Sequence, residues 1–401
     1  MRLNLNISKR ELLIWCGSWV AVFACAAWMI WLYESGAENV ARLGWSPEAE
    51  AEHADIAAAM PRFQIVDGDG NAVVQANERA NVRLWHATLK VHGQHRPNIP
   101  QQDNDCTAFG AMHAVELLQD IAIAHGEAVE WKPIAPHYIY GRSKNPDHAP
   151  AFRGEGCSGA YTAKCVTEGV LAANAPGVPA YSGSLSRAWG KNGVPPKWIA
   201  EAKSFPVRQT SPCRSASEIR DAVVNLCPVT IASNVGFQKI IVRDGRRVGV
   251  MAGSWAHQMT IVGYDGSAGE PYWYVLNSWG DDAHGQPLGD EPPGGFWIDE
   301  EACQAIAAQR ACFAYSSFAG FPAQEFHFDL FSRTEPAGAS RGLTSLTNTQ
   351  RTAASALRLN GKDSDHATDP HSLRAAGSRD GERANVRPAR NAGLASRALG
   401  I

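Results

Sequence analysis

Three reactive side chains lie far apart in this sequence, in a fixed order, and each is carried by a different kind of segment. Cys106 opens a helix-like run, His257 precedes an apolar strand-like run, and Asn277 ends the next strand-like run. A thiol nucleophile needs a base and a group that orients the base, and Cys, His and Asn can supply these roles. A helical half followed by a β half predicts an α+β protein with a cleft between two lobes.

Hydrophobic periodicity supports this division. Over residues 107–124 apolar side chains recur every three or four positions, and Gly126 follows them, which predicts a helix. Three segments rich in β-branched and aromatic residues predict strands in the second half: 228–231, 259–262 and 272–276. These elements and all three reactive residues fall in one folded domain, predicted at residues 83–325.

An apolar run without charged side chains occupies residues 12–33 and is long enough to cross a bilayer as a helix. Basic residues precede it and acidic residues follow it, so the positive-inside rule puts residues 1–11 in the cytoplasm and the catalytic domain on the extracytoplasmic side. A cleaved signal peptide is the alternative, with an A-x-A pattern at 24–26. The length of the run favours an uncleaved single-pass anchor, so the membrane is an expected partner.

Two further segments lack the features of a folded domain. Residues 34–82 resemble a spacer with a possible β-hairpin, and they show no signature of an inhibitory pro-segment. Residues 332–401 contain no aromatic side chain and are rich in Ala, Ser and Arg, which predicts a disordered tail. A net charge of −3 excludes a chain built as a whole to hold nucleic acid.

Cysteine usage agrees with export. With Cys106 reserved as the nucleophile, six exported cysteines could form a disulfide framework. These are Cys157, Cys165, Cys213, Cys227, Cys303 and Cys312. Pairing of neighbours in sequence is the simplest arrangement, but a helix after Cys157 would hold it too far from Cys165 for a bridge. The pairing stays open.

The thiolate is the reactive form of cysteine, so the pKa of Cys106 must be lowered. The N-terminal end of a helix favours an anion, and a protonated His257 beside the thiol would stabilise the thiolate further. Asp105 opposes this effect, and we expect it to be the N-cap with its carboxylate turned towards the backbone amides. Asn277 can accept from a ring N–H of His257 and fix the ring, with Trp279 covering the contact.

These motifs resemble the papain and cathepsin family of cysteine peptidases. Residues 255–279 are similar to the family's histidine strand and its Asn-Ser-Trp-Gly strand, and residues 294–298 resemble the glycine-aromatic strand that follows. Residues 154–159 resemble the glycine-rich loop of the substrate cleft, which implies supporting roles for Gly156, Ser158 and Gly159. The resemblance implies a papain-like two-lobed fold, with a helical lobe, a β-barrel lobe and the active-site cleft between them.

The chain departs from the family at the nucleophile. Thr107 stands where the family usually has Trp, and Asp103 stands where it usually has a Cys bridged to the Cys of the glycine-rich loop. Cys157 therefore lacks its usual partner. The family's oxyanion glutamine implies Gln101 or Gln102, and distance along the chain favours Gln101. With the backbone N–H of the nucleophile it would hold the developing oxyanion.

The resemblance implies a cysteine-type peptidase that acts on protein or peptide substrates through an acyl-enzyme thioester, without a metal or other cofactor. Two alternatives stay open. The same fold could carry a different acyl transfer, as in an envelope amidase or transpeptidase, or it could be a catalytically silent binding module. The catalytic residues expected on this basis are Cys106, His257, Asn277 and Gln101, with Gln102 as the other oxyanion candidate.

Overall fold

The computed structural model describes residues 44–66, 69, 80–146, 150–202, 207–267 and 269–317. The apolar run at 12–33 and the tail at 332–401 lie outside these residues. Among the described helices, none is both long and apolar enough to cross a membrane. The helices are α1 (Pro47–Glu52), α2 (Ala54–Ala59), α3 (Trp85–His92), α4 (Cys106–Ala124), α5 (Pro136–Lys144), α6 (Gly159–Glu168), α7 (Gly183–Asn192), α8 (Pro196–Ala202), α9 (Ala216–Val224) and α10 (Glu300–Ala307).

Helix α4 is the central helix, and its bounds agree almost to the residue with those predicted from the sequence. Every residue of α4 except Ile123 is buried. A helix without a solvent-exposed face is stabilised by packing on all sides, which explains why apolar residues occur all around it. The first residue of this helix is Cys106, so the nucleophile predicted from the sequence is anchored to an almost fully buried helix.

The strands form one nine-stranded sheet in the order β2-β9-β3-β6-β7-β8-β5-β4, with β1 also paired to β6. All pairings are antiparallel except that of β5 with β8. The strands are β1 (Asn81–Arg83), β2 (Gln209–Cys213), β3 (Val229–Val235), β4 (Lys239–Arg243), β5 (Arg246–Val250), β6 (Ser254–Asp265), β7 (Tyr272–Leu276), β8 (Gly295–Asp299) and β9 (Ala311–Ser316). The three predicted strands correspond to parts of β3, β6 and β7, which confirms the α+β class.

Strand register brings His257 and Asn277 together. Leu276, the last residue of β7, pairs with Thr260 of β6. One further step of the antiparallel register places Asn277 opposite Met259. His257 lies two residues from Met259 on the same face of β6, so it is the diagonal neighbour of Asn277, within reach of a long side chain.

Buried side chains form one large cluster on the sheet and a second among the helices. Strand β9 separates the two, because its residues alternate between faces. Cys312 and Ala314 belong to the sheet cluster, whereas Phe313 and Tyr315 belong to the helical cluster. Cys106, at the N-terminus of α4, belongs to neither core and packs with Trp45, Ala232 and Ala311.

The described part of the segment predicted as a spacer, 44–66 and 80–82, is packed on the domain. Helices α1 and α2 form within it, Ala57 joins the helical core, and Phe63 and Ile65 join the sheet core. Residues 61–65 are neither helix nor strand, and most of the expected hairpin turn lies outside the described residues. The apolar residues of this alanine-rich stretch are scattered without periodicity, so its docking could not be predicted from a local pattern.

The cysteines also differ from expectation. All seven cysteines in the described part of the chain are buried free thiols, so the structure contains none of the disulfides expected there. The register places Cys213 of β2 directly opposite Cys312 of β9. The cysteine nearest to Cys213 across the sheet is therefore Cys312, which is not its neighbour in sequence.

Candidate active site

Cys106 is the first residue of α4 and is fully buried. Asp105 occupies the N-cap position, but its side chain makes no capping hydrogen bond. Its Oδ2 instead accepts from the hydroxyl groups of Tyr181, at 2.9 Å, and Ser186, at 2.7 Å. Burial raises the pKa of this carboxyl to about 7, so its negative charge beside the thiol is reduced near neutral pH. The expected capping role of Asp105 is therefore corrected.

His257 and Asn277 form a close buried pair, with Nε2 of the ring 2.7 Å from Oδ1 of the amide. The backbone N–H of Ser278 donates to the same Oδ1 at 2.7 Å. A main-chain N–H can only donate, so this end of the amide is the oxygen, and His257 Nε2 must carry a proton. In the neutral ring Nδ1 is then the basic nitrogen, and it has no hydrogen-bond partner among the described residues.

An indole covers the histidine, as the sequence predicted. The ring centroids of Trp279 and His257 lie 4.9 Å apart, and Trp255 packs on Trp279 at the same distance. His257 is 2% exposed. Exclusion of water strengthens the bond between the ring and the amide.

Of the two oxyanion candidates, Gln101 lies beside the loop that carries Asn277 and Ser278. Its Oε1 accepts from the Ser278 hydroxyl at 2.6 Å and its backbone N–H donates to the Ser278 carbonyl at 2.8 Å. Its Nε2 donates to the carbonyl of Asp103 at 2.9 Å, so an oxyanion would have to replace this acceptor. Gln102 is exposed and instead accepts from the backbone N–H of Gly183.

The two ends of the glycine-rich loop have different contacts. Ser158 is the N-cap of α6 and accepts from the backbone N–H of Tyr161 at 3.0 Å. Gly159 begins that helix, and its N–H donates to Glu50 at 2.6 Å. Burial raises the pKa of the Glu50 carboxyl. Gly156 and the residue after it instead contact the chain segment that fills the cleft.

That segment is residues 44–46, here called the strap, and it belongs to the protein's own N-terminal part. The first two N–H groups of the strap approach the carbonyl oxygen of Ala256 at 3.2 and 3.3 Å. The N–H of Cys157 donates to the Gly44 carbonyl at 2.8 Å, and the N–H of Ser46 donates to the Cys157 carbonyl at 3.0 Å. The strap therefore pairs with both walls of the cleft.

The close fit of the strap depends on two glycines. A Cβ on Gly44 would lie 2.4 Å from the carbonyl carbon of Asn104. Gly156 has φ +69, and a Cβ there would lie 2.3 Å from the Gly44 carbonyl oxygen. Backbone meets backbone at both points, so neither contact can be relieved by a side-chain movement.

Trp45 packs beside Cys106. Its side chain is 5% exposed and forms a small apolar cluster with Cys106, Ala232 and Ala311. The indole N–H donates to Glu50 at 3.0 Å. Alanines leave room for an indole at this position, so the cluster is a pocket for a large flat side chain next to the thiol.

Burial opposes the expected ionisation of Cys106 and His257. Burial raises the pKa of the Cys106 thiol, although the N–H groups of Gln258 and Trp45 act in the opposite direction. Burial also lowers the pKa of His257 to about 4. Burial therefore favours the neutral thiol and the neutral imidazole over the thiolate–imidazolium pair predicted from the sequence.

Two features of the site were missed by sequence reasoning. His284 contacts the other end of the Asn277 amide, at 2.8 Å. It follows Gly280 in a short polar stretch, 281–285, that resembles any exposed turn. The strap contains only one large side chain and has no periodic pattern, so no signature of an inhibitory segment is visible in it. In the described residues, no group of three or more His, Cys, Asp or Glu could hold a metal.

Part of the chain is similar to a known protein family. Residues 149–286 match the family described as papain family cysteine protease, a span that includes His257 and Asn277 and begins after Cys106. None of the curated proteins compared with the chain matches it.

Three of the solved structures to which the chain is similar are cysteine proteases. Procathepsin L 3 from the larval midgut of Tenebrio molitor is 16% identical, covering 71% of this chain and 78% of that one, with a TM-score of 0.43. Bromelain from Ananas comosus is 17% identical, and the match covers 59% of this chain and 98% of bromelain, with a TM-score of 0.41. Xylellain from Xylella fastidiosa is 12% identical, and the match covers 64% of this chain and 96% of xylellain, with a TM-score of 0.42. The family match over residues 149–286 indicates that the chain is a cysteine peptidase, a hydrolase.

Proposed function

We propose that the domain hydrolyses peptide bonds of protein or peptide substrates, with Cys106 as nucleophile, His257 as proton shuttle, Asn277 as orienter and Gln101 as oxyanion donor. One observation carries this proposal. The bond of 2.7 Å from His257 to Asn277, with the tautomer that Ser278 imposes, leaves Nδ1 as the only basic nitrogen of the ring. A base with its second nitrogen held in this way is the arrangement that a thiol nucleophile needs.

The reaction follows from these atoms. His257 Nδ1 accepts the thiol proton, and the thiolate attacks the substrate carbonyl carbon. Gln101 Nε2 and the backbone N–H of Cys106 donate to the oxyanion. The C–N bond then breaks, and the departing amine takes the proton from His257. Water, deprotonated by His257, attacks the thioester and releases the carboxylic acid and the free thiol.

We also propose that the described conformation is latent. The strap fills the position over Cys106 that a substrate carbonyl must reach, and the buried thiol and imidazole are both neutral. Movement of the strap would admit water and substrate together. Helix α1 is bonded to the strap, because its Glu50 accepts from the Trp45 indole and Ser46 is its N-cap. Helix α2 can stay in place, because it packs on the helical core through Ala57.

The experiment compares hydrolysis of a peptide library by three full-length proteins. Trp45→Ala should cleave peptides because its pocket is emptied, whereas Trp45→Ala with Cys106→Ala should be inactive. Trp45→Ala with Cys165→Ala is the matched control, since Cys165 is another buried free thiol, located on α6. Full activity without Cys106 would contradict the proposal. Release of cell-wall fragments without peptide cleavage would assign a different acyl transfer to the same residues.

We propose, from sequence alone, that residues 12–33 stay in the mature protein as a membrane anchor with the catalytic domain on the extracytoplasmic side. The support is the length of the apolar run and the charges that flank it. Mass spectrometry of detergent-extracted protein should find peptides that begin at or before Arg10. A mature N-terminus between Ala26 and Glu34 would show that the segment is cleaved.

A further inference from the structure

His284 lies between β7 and β8, seven residues after Asn277, and is 8% exposed. Its ring is held by two aromatic neighbours. The ring centroid lies 4.7 Å from that of Phe296, in an edge-on arrangement, and 5.6 Å from that of Trp279. Nε2 of this ring faces Nδ2 of Asn277 at 2.8 Å. This contact connects His284 directly with the side chain that orients the catalytic base.

The hydrogen-bond network determines the proton positions in both rings. Asn277 Oδ1 accepts from the Ser278 N–H, so the opposite end of the amide is the NH₂ group, which can only donate. His284 Nε2 must therefore accept and carries no proton. In the neutral ring its proton is on Nδ1. The amide thus donates to one imidazole and accepts from the other, His257.

We propose that His284 is a positioning residue that holds the Asn277 amide with its oxygen towards His257. The proposal rests on the proposed roles of Cys106, His257 and Asn277. Without an acceptor at His284, a buried N–H of the amide loses its partner, which is costly. The Ser278 N–H and His284 hold the amide from its two ends, so loss of the His284 acceptor makes rotation by half a turn less costly, although rotation still breaks the Ser278 bond. The rotated amide would present NH₂ to His257 and favour the tautomer with the proton on Nδ1. That proton would occupy the nitrogen that must deprotonate the thiol.

Three variants separate this role from a structural one, each made in full-length Trp45→Ala protein. His284→Phe keeps an aromatic ring but removes the acceptor, whereas His284→Gln keeps an acceptor oxygen. His113→Phe is the control, because His113 is also a buried histidine but lies on α4, and the hydrogen bonds of the Asn277 side chain go to His257, Ser278 and His284. We expect His284→Phe to lower kcat by about 10- to 100-fold with little change in KM. We expect His284→Gln to recover most of the loss and the control to keep kcat.

A second measurement does not depend on activity. Nitrogen-15 NMR of the histidine side chains reports which ring nitrogen carries the proton. In the parent protein His257 should be protonated on Nε2, and in His284→Phe a Nδ1-protonated form should appear. The proposal is overturned if His284→Phe keeps both kcat and the Nε2 proton, or if Phe and Gln variants lose kcat equally. Activity that survives Cys106→Ala would overturn the proposed function instead, and the NMR result would still decide the role of His284.

Discussion

Gln101 and Gln102 are adjacent in sequence, but only Gln101 turns into the protein beside Ser278. We expect Gln101→Ala to lower turnover by about 100-fold, the scale found when one oxyanion donor is removed. Gln102→Ala is the matched control and should stay within about twofold of the parent, because its side chain contacts only the start of α7. The measurement is kcat for a peptide substrate in the Trp45→Ala background. Equal losses in the two variants would show that the oxyanion donor is a different group.

Gly44 has no room for a side chain, whereas Gly93, which has φ +72, has no atom within 4 Å of the position that a Cβ would occupy. We expect Gly44→Ala to push the strap out of the cleft and to raise the rate at which a thiol reagent labels Cys106 by at least about tenfold. Gly93→Ala strains the backbone far from the cleft and should leave the labelling rate unchanged. Peptide mapping after short exposure to iodoacetamide gives the rate for each protein. Unchanged labelling in Gly44→Ala would mean that the strap does not protect the thiol.

At the scale of secondary-structure elements, strands β2 and β9 place Cys213 and Cys312 face to face in the core. Opposed residues of an antiparallel pair have Cα atoms about 4.5–5.5 Å apart, within the range of a disulfide. We expect oxidised glutathione to convert this pair into a disulfide. The two thiols give up two electrons and two protons, which reduce one molecule of oxidised glutathione to two molecules of reduced glutathione.

Mass spectrometry of unreduced peptides, after slow oxidation, should find the 213–312 cross-link before any link to Cys157 or Cys165. The variant Cys312→Ala should abolish it, whereas Cys165→Ala should not. Cross-links only between neighbours in sequence would contradict the strand register.

Periodic elements were predictable, and contacts between distant elements were not. Helix α4 and strands β6 and β7, of 19, 12 and 5 residues, carry apolar patterns that identify them directly. The pairing of His257 with Asn277 followed from such patterns together with residue order. Trp45 lies in a stretch without a pattern, and His284 in a polar turn. Their roles depend on steric fit and on hydrogen bonds across the fold, which no local window of sequence contains.

At the scale of the whole molecule, buried histidines link stability to pH. His137 is fully buried, and burial lowers its pKa to about 4. The unfolded chain binds this proton below the ordinary value of about 6.5, whereas the folded protein binds it only near 4. The stabilisation is therefore fully present above about pH 6.5 and is lost as the pH falls to about 4, by an amount on the order of 3 kcal/mol.

His137→Phe keeps an aromatic ring and removes this titration. We expect the free energy of unfolding in urea to fall less between about pH 7 and about pH 4.5 in this variant than in the parent. The unfolding free energy of the variant will still fall over this range, because burial also lowers the pKa of His113 to about 3 and the pKa of His257 to about 4. Identical pH dependence in both proteins would show that His137 is accessible to protons in the folded state.

The strap and the cleft belong to one chain, so dilution cannot separate them. A segment joined directly to a docked helix acts on its site at an effective concentration on the order of millimolar or higher. Contacts too weak to hold a separate peptide can therefore keep the thiol covered. A substrate or a covalent probe can bind only the open form of the protein. The apparent affinity of that ligand is therefore its affinity for the open form multiplied by the fraction of the protein that is open. Different inhibitors should therefore all be weaker against the parent protein than against Trp45→Ala, and by the same factor.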